Sequence, residues 1–108
     1  MNLKFPMYWS ITTKVSYIQR AILIYSIIYY EYDSNIISDK KYDKLSHVLV
    51  EYQNSLSKEQ LKCTEYGYVF KDFDGSTGFD LVPKLSQEDK DYLTLIASHV
   101  LDRHKKAN

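Results

Sequence analysis

Residues 29–45 decide the fold, and they read Tyr-Tyr-Glu-Tyr-Asp-Ser-Asn-Ile-Ile-Ser-Asp-Lys-Lys-Tyr-Asp-Lys-Leu. Asp33-Ser34-Asn35 is a run of turn formers, because short polar side chains bond to nearby backbone and tolerate turn geometry. Ser38 or Asp39 then fits the N-cap of a following helix. A turn this short between two helical segments predicts an antiparallel helical hairpin.

The apolar residues on both sides of this turn follow the spacing of a helix face. Upstream, the spacing predicts a helix over about residues 11–32, and additional aliphatic residues around Ile27 indicate that this helix is the central one. Downstream, it predicts a helix over about residues 39–53. The two stripes are Ile11, Val15, Ile18, Ile22, Tyr25, Tyr29 and Tyr32, and then Tyr42, Leu45, Leu49 and Tyr52.

The rest of the chain predicts a mainly α, single-domain protein over residues 1–108. The N-terminal arm should pack Phe5, Tyr8 and Trp9 onto the helices. Residues 57–60 fit a capping box for a short helical turn. Residues 64–84 read as irregular or short-strand, with 66–70 extended. Ser86 and Asp89 are typical of the start of a final helix over about residues 87–103, whose tail after Arg103 should fray.

Composition narrows the class of protein. Lys+Arg and Asp+Glu are each 14, and this zero balance argues against general nucleic-acid binding. The single cysteine cannot form an internal disulfide, and no secretory signal is visible. The apolar run of residues 21–30 is too short to span a bilayer. We therefore expect a cytoplasmic protein without a membrane partner.

The hairpin also carries a family resemblance. The order Tyr29-Tyr30, Asp33, Ile37, Ser38-Asp39, Tyr42-Asp43 and Leu45 resembles the small N-terminal helical domain of bacterial NAD-dependent DNA ligases, over about residues 20–52. In that family the domain closes over the nicotinamide mononucleotide (NMN) half of NAD. The resemblance implies NAD or NMN as ligand, with contacts from Tyr29, Tyr30, Asp39, Tyr42 and Asp43.

The departures from that family separate this chain from a ligase. Asn35 stands where the family has proline, and Lys41 replaces an acidic residue. Adenylation in the family uses a Lys-x-Asp-Gly nucleophile in a large domain, whereas here Lys71 precedes Asp74-Gly75 at a spacing too long by one residue. No other constellation places a nucleophile beside a base. We expect a protein that is not an enzyme.

Structural roles compete with the ligand roles of the same residues. Tyr29 and Tyr42 lie on apolar stripes and fit a core equally well. Asp39 fits a helix cap, which leaves Asp43 as the better ligand marker. A glycine-bearing loop further on offers a second candidate, a partner-contact surface formed by Phe73, Asp74, Phe79 and Asp80. The loop lacks the pattern of a calcium-binding EF-hand, and no metal site is predicted.

Two functions follow from these observations. The first is a non-enzymatic interaction protein on a ligase-like hairpin, since a short, neutral, tyrosine-rich chain resembles small proteins of bacterial viruses and mobile elements that modulate a host protein. The second is an NAD- or NMN-type nucleotide-binding module. Homodimerisation through the wide apolar first helix stays open under either function.

Overall fold

Six helical segments follow one another along the chain in the computed structural model, which describes residues 4–76 and 78–107. No strand occurs within these residues, and the mainly α prediction is confirmed. The segments are α1 (Ile11–Glu31), α2 (Asp39–Asn54), α3 (Lys58–Lys62), α4 (Gly67–Phe70), a 3-10 helix (Val82–Lys84) and α5 (Gln87–Ala107).

The helical hairpin of α1 and α2 forms with nearly the predicted bounds. Ser10 and Ser38 each cap a helix by accepting a backbone N–H bond three residues on, so Ser38 rather than Asp39 is the N-cap of α2. In the turn, Asp33 adopts a φ of 48°, and the Ser34 N–H donates to the Ile28 carbonyl at 3.2 Å. The left-handed backbone conformation of Asp33 ends α1 and turns the chain toward α2.

Helix α1 is the centre of the molecule, as its wide apolar stripe predicts. It packs against both α2 and α5, and its aliphatic side chains from Val15 to Ile28 are buried. Since these side chains are covered within one chain, they are not available to a second copy. The facing core residues are Leu45 and Leu49 of α2, Leu93, Ala97 and Leu101 of α5, and Tyr66, Val69, Phe70, Leu81 and Val82 between them.

Helix α1 is also held to α5 and to the N-terminal arm by polar and aromatic contacts. Arg20 donates to the Tyr92 hydroxyl at 2.6 Å, and Glu31 pairs with Lys90 at 3.1 Å, which fixes α5 along α1. In the N-terminal arm, the Phe5 and Trp9 rings stack on each other with centroids 5.5 Å apart, and both contact the Tyr17 ring at 5.7 and 5.8 Å. The prediction for Tyr8 was wrong, because its side chain is 86% exposed. The fraying predicted after Arg103 was also wrong, since α5 continues to Ala107.

The extended conformation predicted for residues 66–70 was wrong, because these residues contain the helical turn α4. Tyr66, Val69 and Phe70 are buried while Tyr68 is exposed, a pattern with helical rather than alternating spacing. Gly67 allows this turn to sit tightly on α3, since a Cβ at this position would overlap the Leu61 carbonyl.

A buried amide network holds this irregular segment to the hairpin. The Gln19 side chain, 0% exposed, donates to Gln53 Oε1 and to Thr64 Oγ1, both at 3.1 Å. Its own Oε1 accepts the Tyr66 N–H at 3.1 Å. Gln53 in turn donates to the Phe70 carbonyl at 3.2 Å. The side-chain oxygen and both amide protons of Gln19 are therefore satisfied, as burial of an amide requires.

Candidate functional site

A notch opens at the end of the hairpin, where the last turn of α1 meets the first turn of α2. Its cavity volume is about 70 Å³, which is small beside the 300–1,000 Å³ or so of typical small-molecule sites. Four of the five residues implied by the ligase resemblance line it. The lining consists of Tyr25, Ser26, Tyr29, Tyr30, Asn35, Ile36, Ile37, Asp39 and Tyr42.

Tyr42 has a structural role at its hydroxyl. Tyr42 Oη lies 2.8 Å from Ser26 Oγ, and Ser26 donates to the Ile22 carbonyl at 2.8 Å. Because a serine hydroxyl has one proton, Tyr42 is the donor to Ser26. Burial is the main cause that raises the pKa of Tyr42 above its usual value. The ring lines the notch, but its hydroxyl is already bonded within the protein.

Gly78 brings the loop after α4 onto this same point. A Cβ on Gly78 would overlap the Tyr42 hydroxyl and would come within 3.1 Å of Ser26 Oγ. The backbone can pass here because glycine has no side chain. The loop therefore covers one side of the Ser26–Tyr42 pair and sets its next residue, Phe79, beside the hairpin.

Tyr29, Tyr30 and Phe79 form a continuous surface, here called the aromatic platform. The Tyr29 and Tyr30 rings meet edge to face at 4.8 Å, and Tyr30 and Phe79 do so at 5.7 Å. The three residues are 51%, 44% and 70% exposed. The sequence treats the hairpin tyrosines and the loop phenylalanine as two separate candidates, and the structure joins them in one surface.

The two predicted carboxylates are placed differently. Asp39 lies at the start of α2 and lines the notch, whereas Asp43 is exposed and is not among the lining residues. One helical turn separates them. The residue that the sequence marks as the better ligand candidate, Asp43, therefore lies outside the notch.

The other predicted loop contacts are used within the loop or the core. Phe73 is half-buried and packs edge to face on Phe70 at 5.2 Å. The Asp74 carboxylate accepts bonds from the Ser76 hydroxyl and amide, which lower the pKa of Asp74. Asp80 pairs with Lys84 at 3.7 Å. Phe79 is the member of the predicted set that presents a large apolar surface.

The part of the chain that the structure describes contains no group of three or more His, Cys, Asp or Glu side chains placed to hold a metal ion. None of its helices combines the length and the apolar character needed to cross a bilayer.

Comparison of the chain with protein-family models, with curated proteins and with solved structures found no match. The likeness to the ligase domain therefore rests on the residue string of the hairpin.

Proposed function

We propose that this chain is a non-enzymatic interaction protein that binds and modulates a host protein in the cytoplasm, and that the aromatic platform is its contact surface. The observation that carries the proposal is the edge-to-face series Tyr29, Tyr30 and Phe79 beside a small apolar notch. Exposed aromatic rings next to a small pocket are typical of the few residues that dominate a protein interface.

The size of the notch favours a protein ligand over a whole nucleotide. A cavity of about 70 Å³ accommodates part of one aliphatic or aromatic side chain, while the rings around it cover the neighbouring partner surface. Burial of one such partner side chain contributes about 1.5–3 kcal/mol. The polar groups of Ser26 and Tyr42 are already bonded to each other, so little remains for specific recognition of polar ligand atoms.

Capture from a bacterial lysate, followed by titration with the purified partner, tests this proposal. Tyr30→Ala and Phe79→Ala should each weaken partner binding about tenfold or more. Tyr8→Ala is the matched control, because Tyr8 is also an exposed tyrosine but precedes the opposite end of α1, roughly 30 Å away. Equal binding by all four proteins would refute the platform as the contact surface.

A second copy of the chain is the competing occupant of the platform. Sedimentation velocity on the wild type and Tyr30→Ala distinguishes the two cases. A wild-type dimer that dissociates in Tyr30→Ala would assign the platform to self-association. If the wild type and Tyr30→Ala are both monomers, the platform is free to contact a different protein.

The alternative function is an NAD- or NMN-binding module, and the shared position of Tyr29, Tyr30, Asp39 and Tyr42 in one notch favours it. A tyrosine face attracts a cationic nicotinamide ring, and the Asp39 carboxylate balances its charge. Only part of the nicotinamide ring enters the notch, so affinity should be weak, in the range of about 1 mM. Saturation-transfer NMR with NMN should give a signal that Tyr29→Ala and Asp39→Asn weaken and Tyr8→Ala preserves. No transfer in the wild type would rule this function out.

A further inference from the structure

A larger cavity lies on another part of the molecule, in the groove between α3 and α4. Its volume is about 570 Å³, within the range of about 300–1,000 Å³ that small-molecule sites occupy. Lys58, Leu61 and Lys62 form one wall, and Tyr68 and Lys71 contribute to the other. It shares no lining residue with the notch at the hairpin end.

The floor of this groove is firmly held. Gly67 lies directly on the Leu61 carbonyl, and Thr64 beneath it accepts the buried Gln19 amide. Helix α3 is fixed by a capping box in which Ser57 and Gln60 bond to each other's backbone. A site of this kind exists before a ligand arrives, which reduces the cost of ordering on binding.

Tyr68 supplies an aromatic wall whose orientation is fixed from outside the groove. Its hydroxyl donates to Asp89 at 2.5 Å and accepts the Ser86 N–H at 3.1 Å, at the start of α5. The residue is nevertheless 45% exposed. A ring that is anchored at its hydroxyl and open elsewhere is suited to stack on a planar ligand.

Positive charge surrounds this apolar floor. Lys58 and Lys62 lie one turn apart on the same side of α3, and Lys71 lies across the groove. Within the described residues, none of the three forms an ion pair of 4.0 Å or less, since the ion pairs found are Lys84–Asp80 and Lys90–Glu31. Their ammonium groups are available to an anion.

Two carboxylates also line the groove, and each lines a neighbouring cavity as well: Glu65 against α1, and Asp72 in the loop that follows α4. With three lysines against two carboxylates, the lining keeps an excess of one positive charge, which favours an anion.

We propose that the α3–α4 groove binds a small aromatic phosphate monoester. The aromatic body lies on Leu61 and the Tyr68 ring, and the phosphate is held by Lys58, Lys62 and Lys71. This site is independent of the platform at the hairpin end.

Two-dimensional NMR titration with naphthyl phosphate tests the inference, with naphthol and inorganic phosphate as the two fragment probes. Naphthyl phosphate should shift the amide signals of Leu61, Gly67 and Lys71, and should bind about tenfold more tightly than either fragment. Lys62→Gln should weaken its binding about two- to fivefold, the effect of one exposed ion pair. Lys40→Gln, on an exposed lysine of α2, should not change it. Added salt should weaken binding in the wild type.

Each contrary outcome overturns the proposal. Equal affinity for naphthol and naphthyl phosphate would reduce the groove to an apolar surface. Equal affinity for inorganic phosphate and naphthyl phosphate would reduce it to a cluster of surface lysines. Signals that move elsewhere in the protein, or not at all, would remove the site. Phe79→Ala must leave naphthyl phosphate binding unchanged, which separates this result from any result at the aromatic platform.

Discussion

Replacement of Gln19 by methionine tests how the irregular segment is held to the hairpin. Methionine has nearly the volume of glutamine but makes none of its three bonds to Gln53, Thr64 and Tyr66. The Tyr66 N–H would lose its acceptor in the buried interior, at a cost of about 1–3 kcal/mol. Thr64 keeps its bond to the Leu61 carbonyl, and half-buried Gln53 can turn to water. We expect the free energy of unfolding to fall by about 3 kcal/mol, a large share of the 5–15 kcal/mol or so typical of a domain.

Urea unfolding measures this loss, and amide hydrogen exchange locates it. With a typical urea slope of about 1–3 kcal/mol/M, the midpoint should fall by roughly 1–3 M. Gln53→Met is the matched control and should cost only about 1 kcal/mol, because Gln19 keeps its bonds to Thr64 and Tyr66 and the Phe70 carbonyl keeps the bond from the Phe73 N–H. The Tyr66 amide should exchange faster in Gln19→Met by local opening, beyond the effect of the lower global stability. The account would be refuted if the urea midpoint of Gln19→Met stayed within error of the wild-type value. It would also be refuted if the Tyr66 amide kept its protection from exchange relative to the other amides, since the Gln19 network would then not hold the irregular segment to the hairpin.

Three further predictions concern single groups. Ser46→Ala should raise the free energy of unfolding by about 1 kcal/mol, because Ser46 Oγ is buried without a hydrogen-bond partner among the described residues; a less stable variant would indicate an internal water at that oxygen. Asp33→Ala should lower the free energy of unfolding by about 1 kcal/mol in thermal or urea unfolding, because alanine lacks the short polar side chain with which aspartate tolerates a φ of 48°, whereas Asp33→Gly should not, because glycine has no β-carbon to crowd; equal losses would contradict this reading. Burial, the largest cause in each case, raises the pKa of Tyr25, Tyr42 and Tyr66. The folded protein therefore holds these protons more tightly than the unfolded chain, so these three groups should leave stability unchanged below a pH of about 10 and should lower it above that pH. Tyrosine carbon NMR against pH should find these three phenols ionising last, and early ionisation of any of them would contradict its burial.

The sequence predicts the long helices well because their signal is local and repeated. The stripe from Ile11 to Tyr32 contains enough turns to define a face, and Ser10 and Ser38 mark the starts. The prediction of an extended conformation for residues 66–70 was wrong because Tyr-Gly-Tyr-Val-Phe alternates like a strand. Five residues are too few to separate the two-residue period of a strand from the 3.6-residue period of a helix. Gly67 favours the helical turn through its close approach to the Leu61 carbonyl.

The site residues were predictable only as far as they lie on one hairpin. Tyr29, Tyr30, Asp39 and Tyr42 converge because a helical hairpin places its connected ends together. The platform also needs Phe79, which lies far along the chain and reaches Tyr30 because Gly78 passes over Tyr42. Gln19 likewise has partners at positions 53, 64 and 66, and no spacing rule in one sequence identifies such pairs.

The Ser26–Tyr42 pair bears most directly on the choice between the two proposed functions. With that pair bonded internally and covered by Gly78, the notch offers a ligand mainly ring surfaces and the Asp39 carboxylate. An apolar side chain of a partner protein needs only the rings, whereas a cationic nicotinamide needs the carboxylate as well. Asp39→Asn, which keeps the shape and removes the charge, should therefore leave partner binding within about twofold and weaken NMN binding about fivefold or more. If Asp39→Asn lost both partner binding and NMN binding, the Asp39 carboxylate would be the group that both ligands contact. The account in which the rings bind the partner would then be wrong.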